Sequence, residues 1–192
     1  MDRYHGEEKL KELYDLLKSS LDRLSEVEYL MKLLETEVKD YESLIDKESL
    51  IPKIKFVKYK LERLINRLKY GSEEVLVCAG IKIEILGEDI STSDKKFLTN
   101  DILSYLDNRI RPTDILFRVN ESSMGIIFIL KSEKDEEAVI NRLNQMLLHI
   151  KTKTYSDKNI LINLKLKHFR ITKENSADNV IDNLGNILEG IE

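Results

Sequence analysis

Residues Arg111–Leu130, RPTDILFRVNESSMGIIFIL, restrict the fold of this chain more than any other stretch. Two short apolar runs, Ile115–Val119 and Met124–Leu130, are joined by the polar tetrad Asn120-Glu121-Ser122-Ser123. Runs rich in Ile, Val and Phe around a small polar cluster predict a β-hairpin. Gly125, just past the turn, has no Cβ, so backbone or a ligand can come close there, or the strand can bulge.

The segments on either side extend the pattern. Val75–Leu86, VLVCAGIKIEIL, reads as one long strand, with Ile81, Ile83 and Ile85 alternating against Lys82 and Glu84. After a loop from Gly87 to Ser93, a helix capped by Ser93 or Asp94 runs to about Arg109, with Phe97, Ile102, Leu103 and Leu106 inward. Beyond the hairpin, Asp135 to Ile150 is helical, with Ala138, Val139, Leu143, Met146, Leu147 and Ile150 on one face. Ile160–Phe169 alternates as a strand, and Ser176–Leu188 forms a last amphipathic helix. The order after Ser72 is β-α-β-β-α-β-α. Its first six elements are a ferredoxin-like split βαβ, an α+β fold with an antiparallel sheet backed by helices.

Upstream the period changes to seven. Leu10, Leu17, Leu24, Met31, Val38 and Ile45 fall at one heptad position, and Leu13, Val27, Leu34 and Tyr41 three residues later, with Ser20 interrupting. Sustained a/d spacing over about five heptads predicts a coiled coil. Leu16, Leu21 and Leu30 widen the stripe, which leaves room for a bundle or for a helix folding back. A helix of about 40 residues would be roughly 60 Å long, too long for one small core, so self-association through residues 10–45 is expected, most simply as a dimer. Pro52 ends the pattern. A second helical pattern, Ile54, Val57, Leu61, Leu64 and Leu68, stops at Tyr70-Gly71-Ser72. This helix is basic (Lys53, Lys55, Lys58, Lys60, Arg63, Arg67, Lys69), and is read as a solvated face complementing the acidic first helix. The expected organisation is a coiled-coil helix over 1–51, a basic linker helix over 52–72 and a folded domain over 73–192.

Composition excludes several classes of function. A net charge of −4 gives no field that points to nucleic acid. No window approaches the roughly 18 continuous apolar residues of a membrane span. The first ten residues lack the apolar core of a signal peptide. The single cysteine, Cys78, lies in an apolar run, which rules out an internal disulfide and fits a reducing compartment, so a cytoplasmic protein is expected. His5, His149 and His168 are scattered and suggest no catalytic cluster.

The hairpin stretch resembles the central hairpin of the GGDEF domain, the fold of bacterial diguanylate cyclases. There an Arg-x-x-Asp precedes a five-residue strand, the turn Gly-Gly-Asp-Glu-Phe and a second apolar strand. Arg111-Pro-Thr-Asp114 matches the first element, and Arg118 stands where that family usually has arginine. The signature turn is replaced by Asn120, Glu121, Ser122, Ser123 and Met124. GGDEF domains open with a motif of the form Asp-x-Leu-Thr-Gly-Leu-x-Asn-Arg. Leu61-Glu-Arg-Leu64-Ile-Asn66-Arg67 keeps both leucines, the asparagine and the arginine, with Tyr59 for the Asp and Glu62-Arg63 for Thr-Gly. A coiled-coil helix commonly precedes that motif in the family.

What the resemblance implies is a fold kept and a chemistry lost. A diguanylate cyclase activates the 3′-hydroxyl of one GTP against the α-phosphate of another, on divalent metal held by carboxylates. Those carboxylates come from an Asp near the end of the first strand and from the hairpin turn. Here the turn has Ser122 and Ser123, and Ala79-Gly80-Ile81-Lys82 occupies the strand register. Asn120 and Glu121 replace the glycines that let backbone approach the nucleotide. In the last helix, Leu184, Ile187 and Leu188 keep the apolar spacing of the family's pattern without its Asp, Tyr and Lys. No catalytic residue, metal site or cofactor is therefore expected. Arg111 and Asp114 correspond to the pair that binds cyclic di-GMP in active family members. A guanidinium suits phosphate or a guanine edge, and a carboxylate accepts from guanine N–H groups.

Three readings stand open. The first is a non-catalytic GGDEF-like signalling or scaffold protein with cyclic di-GMP at Arg111 and Asp114. Alternatives are an interaction module for an unidentified protein partner, with Asp114 serving only a turn, and a nucleotide enzyme with unusual metal ligands such as Glu84 and Glu121.

Overall fold

Strand β1, Val75–Leu86, is buried along most of its length on both faces, because helices cover it from both sides. The structure is a computed structural model and describes residues 13–14, 16–21, 23–24, 27–28, 31–32, 35–36, 39, 43–47, 49–87, 90–152 and 160–190. Strands β2 (Ile115–Asn120), β3 (Ser123–Leu130) and β4 (Leu161–Ile171) complete an antiparallel sheet of order β2-β3-β1-β4. The odd residues of β1, Val77 to Ile85, share one core with Leu98, Ile102, Leu103 and Leu106 of α2 (Thr92–Asp107) and with Leu143 and Leu147 of α3 (Lys134–Thr152). On the opposite face Leu76 and Cys78 meet Val57, Leu61, Leu64 and Ile65 of α1 (Ile54–Lys69) and Val180, Leu184 and Leu188 of α4 (Ala177–Glu189). The expected α+β sheet with flanking helices is present, in the expected element order.

Two glycines decide how tightly the second core closes. Phe117, Gly125 and Gly80 stand in one row across β2, β3 and β1. A Cβ on Gly125 would lie 2.2 Å from Phe117 Cζ, and one on Gly80 would lie 2.7 Å from Leu184 Cδ1. Neither a ligand nor a bulge uses the space at Gly125. The ring of its cross-strand neighbour does, fully buried.

The helix boundaries have local causes. Ser91, not Ser93 or Asp94, caps α2: its Oγ accepts the Asp94 N–H at 3.1 Å, and Asp94 Oδ2 accepts the Ser91 N–H at 3.3 Å. This reciprocal box needs an acid three residues after the cap, which is the place Asp94 fills. Phe97, expected inward, is 71% exposed, because the cap sets a phase that buries Leu98, Thr99, Ile102 and Leu106 instead. Gly71, with φ 91, ends α1 as expected, since only glycine enters the left-handed region without strain.

The chain divides into two compact units, Met1–Glu42 and Ser43–Glu192. In the first, the described residues from 13 to 39 are helical and exposed, Leu13, Leu17, Leu24, Val27 and Met31 among them. Leu10, Leu30, Leu34, Val38 and Tyr41 of the heptad reading lie outside the described residues. Ile45 is not a heptad position at all, but forms a bridge with Pro52 in a chain reversal. Helix α1 packs on the sheet through four buried residues, so it is part of the second unit rather than a linker. No helix among the described residues is long and apolar enough to cross a membrane.

The reversal at Asp46–Ile51 is held by local hydrogen bonds. Asp46 Oδ1 accepts from the Ser49 N–H (2.9 Å) and Ser49 Oγ (2.7 Å), Leu50 N–H donates to Asp46 O (2.8 Å), and Asp46 N–H to Ile51 O (2.9 Å). Of the form Asp-x-Leu-Thr-Gly-Leu only Asp46 is kept here, with Glu48 in place of the first Leu, Ser49 of Thr, Leu50 of Gly and buried Ile51 of the final Leu. Leu50 has φ 58, the conformation glycine adopts freely. Leu61–Arg67, by contrast, is the middle of a continuous helix, whose leucine spacing is explained by burial of Leu61 and Leu64. The Pro52 carbonyl then accepts the Arg118 N–H at 3.1 Å and covers the outer edge of β2.

The two sites should respond oppositely to exchange. Gly125→Ala drives a methyl into the Phe117 ring and should lower unfolding free energy by about 2–3 kcal/mol. Leu50→Gly removes left-handed strain from an exposed side chain and should raise it by about 0.5–1 kcal/mol, net of the extra freedom of the unfolded chain. Urea unfolding of each variant measures both shifts. Equal and negligible changes would contradict the packing described.

Candidate functional site

The Arg111–Asp114 turn links the end of α2 to β2. Asp114 N–H donates to Arg111 O at 2.9 Å, while Arg111 N–H donates to Asp114 Oδ2 at 3.3 Å. The other carboxylate oxygen, Oδ1, accepts the Ile129 N–H of β3 at 3.3 Å. Asp114 is thus half-buried and ties the turn to the sheet, with both oxygens already accepting a backbone proton. Burial raises its pKa, opposed by those two N–H groups and by the charges of Arg111 and Arg142. Arg111, Pro112 and Thr113 are exposed, so the guanidinium of Arg111 is open to a ligand from solvent.

Arg142 is the member of this group that sequence alone does not reveal. It lies on α3, donates through Nη2 to the Arg109 carbonyl, and lines a small hollow with Arg111, Asp114 and Met146. Its sequence context is an ordinary polar helix face. Only packing of α3 against the turn brings its charge to Asp114. On the other side of the turn a cavity of about 490 Å³ is lined by Lys60, Arg63 and Arg67 of α1 together with Pro112 and Thr113. Part of the basic face expected to be merely solvated therefore borders the turn.

The hairpin tip is tighter than the four-residue turn expected, because β2 extends to Asn120 and β3 begins at Ser123. Asn120 Oδ1 accepts the Ser122 N–H at 2.9 Å, and the Ser122 carbonyl accepts the Ile83 N–H at 2.7 Å. Ser123, opposite Lys82, and Met124 are buried, while Glu121 and Ser122 face a cavity of about 370 Å³ beside the end of β1. Glu84 borders the same cavity but accepts from Asn163 Nδ2 at 3.0 Å and pairs with Lys82 and Lys165, each at 3.8 Å. Among the described residues no group of three or more His, Cys, Asp or Glu could hold a metal ion. Neutral Ser122 and Ser123 offer far weaker ligands to a hard cation than carboxylates do.

Other reactive groups are occupied structurally. Burial pushes the Cys78 thiol up to about 12, which keeps it protonated and unreactive. His149 stacks on Tyr105 with ring centroids 5.7 Å apart, and His168 lies 3.8 Å from Glu136. His5 lies outside the described residues.

No family model and no curated protein matches the chain. Solved structures do. The diguanylate cyclase SiaD of Pseudomonas aeruginosa, solved in complex with its activator SiaC, is 12% identical with a TM-score of 0.62, covering 98% of this chain and 75% of that one. The coiled coil and GGDEF domain of DgcB from Caulobacter crescentus, in complex with c-di-GMP, is 16% identical with a TM-score of 0.64, covering 91% and 93%. The GGDEF domain of FimX from Pseudomonas aeruginosa is 12% identical with a TM-score of 0.59, covering 77% and 92%. The fold of this chain is that of a GGDEF domain.

Proposed function

We propose that this protein is a non-catalytic GGDEF-like signalling or scaffold protein that self-associates through its N-terminal helix and receives cyclic di-GMP at Arg111 and Asp114. The observation that carries the reading is the contrast between two places in one fold. The hairpin tip has Ser122 and Ser123 where the diguanylate cyclase chemistry requires metal-holding carboxylates, while the Arg111–Asp114 turn is formed and charged. Arg142 adds a second guanidinium beside it, which suits a ligand with two singly charged phosphodiesters. The solved DgcB domain in complex with c-di-GMP supports the choice of ligand class.

A second reading has its own observation. Both oxygens of Asp114 already accept backbone N–H groups, which is the role of a turn residue in a protein-interaction module without nucleotide. The solved SiaD complex with an activator protein is a precedent for a protein partner.

Titration calorimetry with cyclic di-GMP separates the two. The receptor reading expects micromolar or tighter binding, weakened about tenfold to a hundredfold by Arg111→Ala, since a charged hydrogen bond contributes roughly 1.5–3 kcal/mol. Asp114→Ala should weaken binding and also cost about 1–2 kcal/mol of stability through the two lost N–H acceptors. No heat at about 100 μM ligand, with the stability loss intact, leaves the interaction module.

Self-association rests on the exposed leucines of the N-terminal unit. Leu13, Leu17, Leu24, Val27 and Met31 are each more than half exposed within one chain. A contiguous apolar stripe of this kind favours burial against a partner. Light scattering should give the mass of a dimer for the full chain and of a monomer for Ser43–Glu192. A full-length monomer at micromolar concentration would end this part of the proposal.

A further inference from the structure

Helix α1 handles its cations in two ways. On the side facing α4, Lys58 pairs with Asp178. On the side facing the Arg111–Asp114 turn, Lys60 and Arg63 meet rings instead of carboxylates. Lys60 Nζ lies 5.5 Å from the centre of the Phe56 ring, and Arg63 Cζ lies 6.0 Å from that of Tyr59. In each case the ring is four residues back on the same helix face, so it holds the long side chain in place without neutralising it. Arg67, one turn further on, pairs with Glu74 at 2.6 Å. Lys60 and Arg63 therefore present two exposed positive charges with no acidic partner among the described residues.

Both cations border the cavity of about 490 Å³ beside the turn. Pro112 and Thr113 line it from the turn, while Phe56, Ile115 and Ile129 give it an apolar floor. Ile115 and Ile129 pack against the second core yet stay only half-buried, as does Phe56. No acid is among the residues lining this cleft, and the stretches that supply them, 49–87 and 90–152, are described without a gap. The outer edge of β2 offers little backbone here. The Arg118 N–H donates to the Pro52 carbonyl and the Asp114 N–H to the Arg111 carbonyl, so an occupant is read by side chains rather than by strand pairing.

We infer that this cleft docks an acidic amphipathic helix of a partner protein. A half-buried apolar floor calls for apolar side chains, and the uncompensated cations beside it call for carboxylates. Both come together on a helix with leucines at i, i+3, i+4 and i+7 and glutamates flanking that stripe. Two free cations are far fewer than a nucleic-acid backbone engages, and a flat lipid surface does not enter a cleft between a helix and a turn. Cations already held on rings lose little further freedom on binding. Docking serves the scaffold part of the proposed reading. The cleft shares no lining residue with the hollow at Arg111, so it does not depend on nucleotide.

The probe is a fluorescein-labelled, amidated peptide of about 15 residues, rich in alanine, with leucine at that helical spacing and glutamate beside it. It is titrated with the full chain in the absence of nucleotide, which keeps a failure here separate from a failure at Arg111, and binding is read by anisotropy. Saturable binding with a Kd of about 100 μM is expected. In nuclear magnetic resonance the Ile115 and Ile129 amides should shift as peptide is added. Lysine in place of each glutamate should abolish binding, and one proline at the centre of the peptide should weaken it about tenfold. Lys60→Glu with Arg63→Glu should weaken the parent peptide about tenfold. Lys55→Glu with Lys69→Glu makes the same change of charge on the same helix outside the cleft, and should leave binding as it is. All four side chains are exposed, so the fold is kept. Polyglutamate and oligothymidine carry charge without leucines and should not displace the peptide. No saturation at about 1 mM, saturation without shifts at Ile115 and Ile129, equal binding of the proline peptide, equal loss in both double variants, or displacement by either polyanion would each overturn the docking of an acidic helix.

Discussion

Much of this structure depends on the contact between Phe117 and Gly125. The ring fits because Gly125 has no Cβ, and it brings β2 into the same core as α1 and α4, where Gly80 makes room for Leu184 and Leu188. A shift of one residue in the β1–β3 pairing would turn every side chain of one strand to the opposite face. The register so held sets Ser123 opposite Lys82 and delivers the Ser122 carbonyl to Ile83. It also places the Ile129 N–H where Asp114 accepts it. The hairpin tip and the Arg111–Asp114 turn, at opposite ends of β2, are thus positioned by one packing decision.

On the proposed reading, this arrangement shows how the fold could persist without the chemistry. The core is made of Leu, Ile, Val and Phe on strands and helices, and none of it requires the polar residues of the hairpin tip. Ser122 and Ser123 are compatible with the pairing of β2 with β3, because a hydroxyl suits a turn as well as a carboxylate does. Similarity at 12–16% identity to solved GGDEF domains is a likeness of fold. On the proposed reading, function rests on the charged turn at Arg111 and on the exposed leucines of the N-terminal unit.

What could be read from the residues is what periodicity encodes. Strands and helices of the second unit, their order and the sheet type follow from alternation and from 3.6-residue spacing. Features set by contacts between distant residues were hidden. Ser91 as the cap depends on Asp94 closing a box, and Phe97 is outside because that box sets the helix phase. Ile45 fits a heptad by number but sits in a reversal that Asp46 and Ser49 build. Leu50 hides a glycine-like position, since no apolar pattern reports φ. Of the candidate site, Arg111 and Asp114 were visible only through the resemblance of their stretch to the GGDEF hairpin. Arg142 was not, because it comes from another helix.

The central claim is that the fold is retained without diguanylate cyclase chemistry, and turnover tests it most directly. The full chain, incubated with GTP and either magnesium or manganese and resolved by chromatography, should yield no cyclic di-GMP. Formation of product that disappears on Glu84→Gln or Glu121→Gln would contradict the account and assign those carboxylates to a metal.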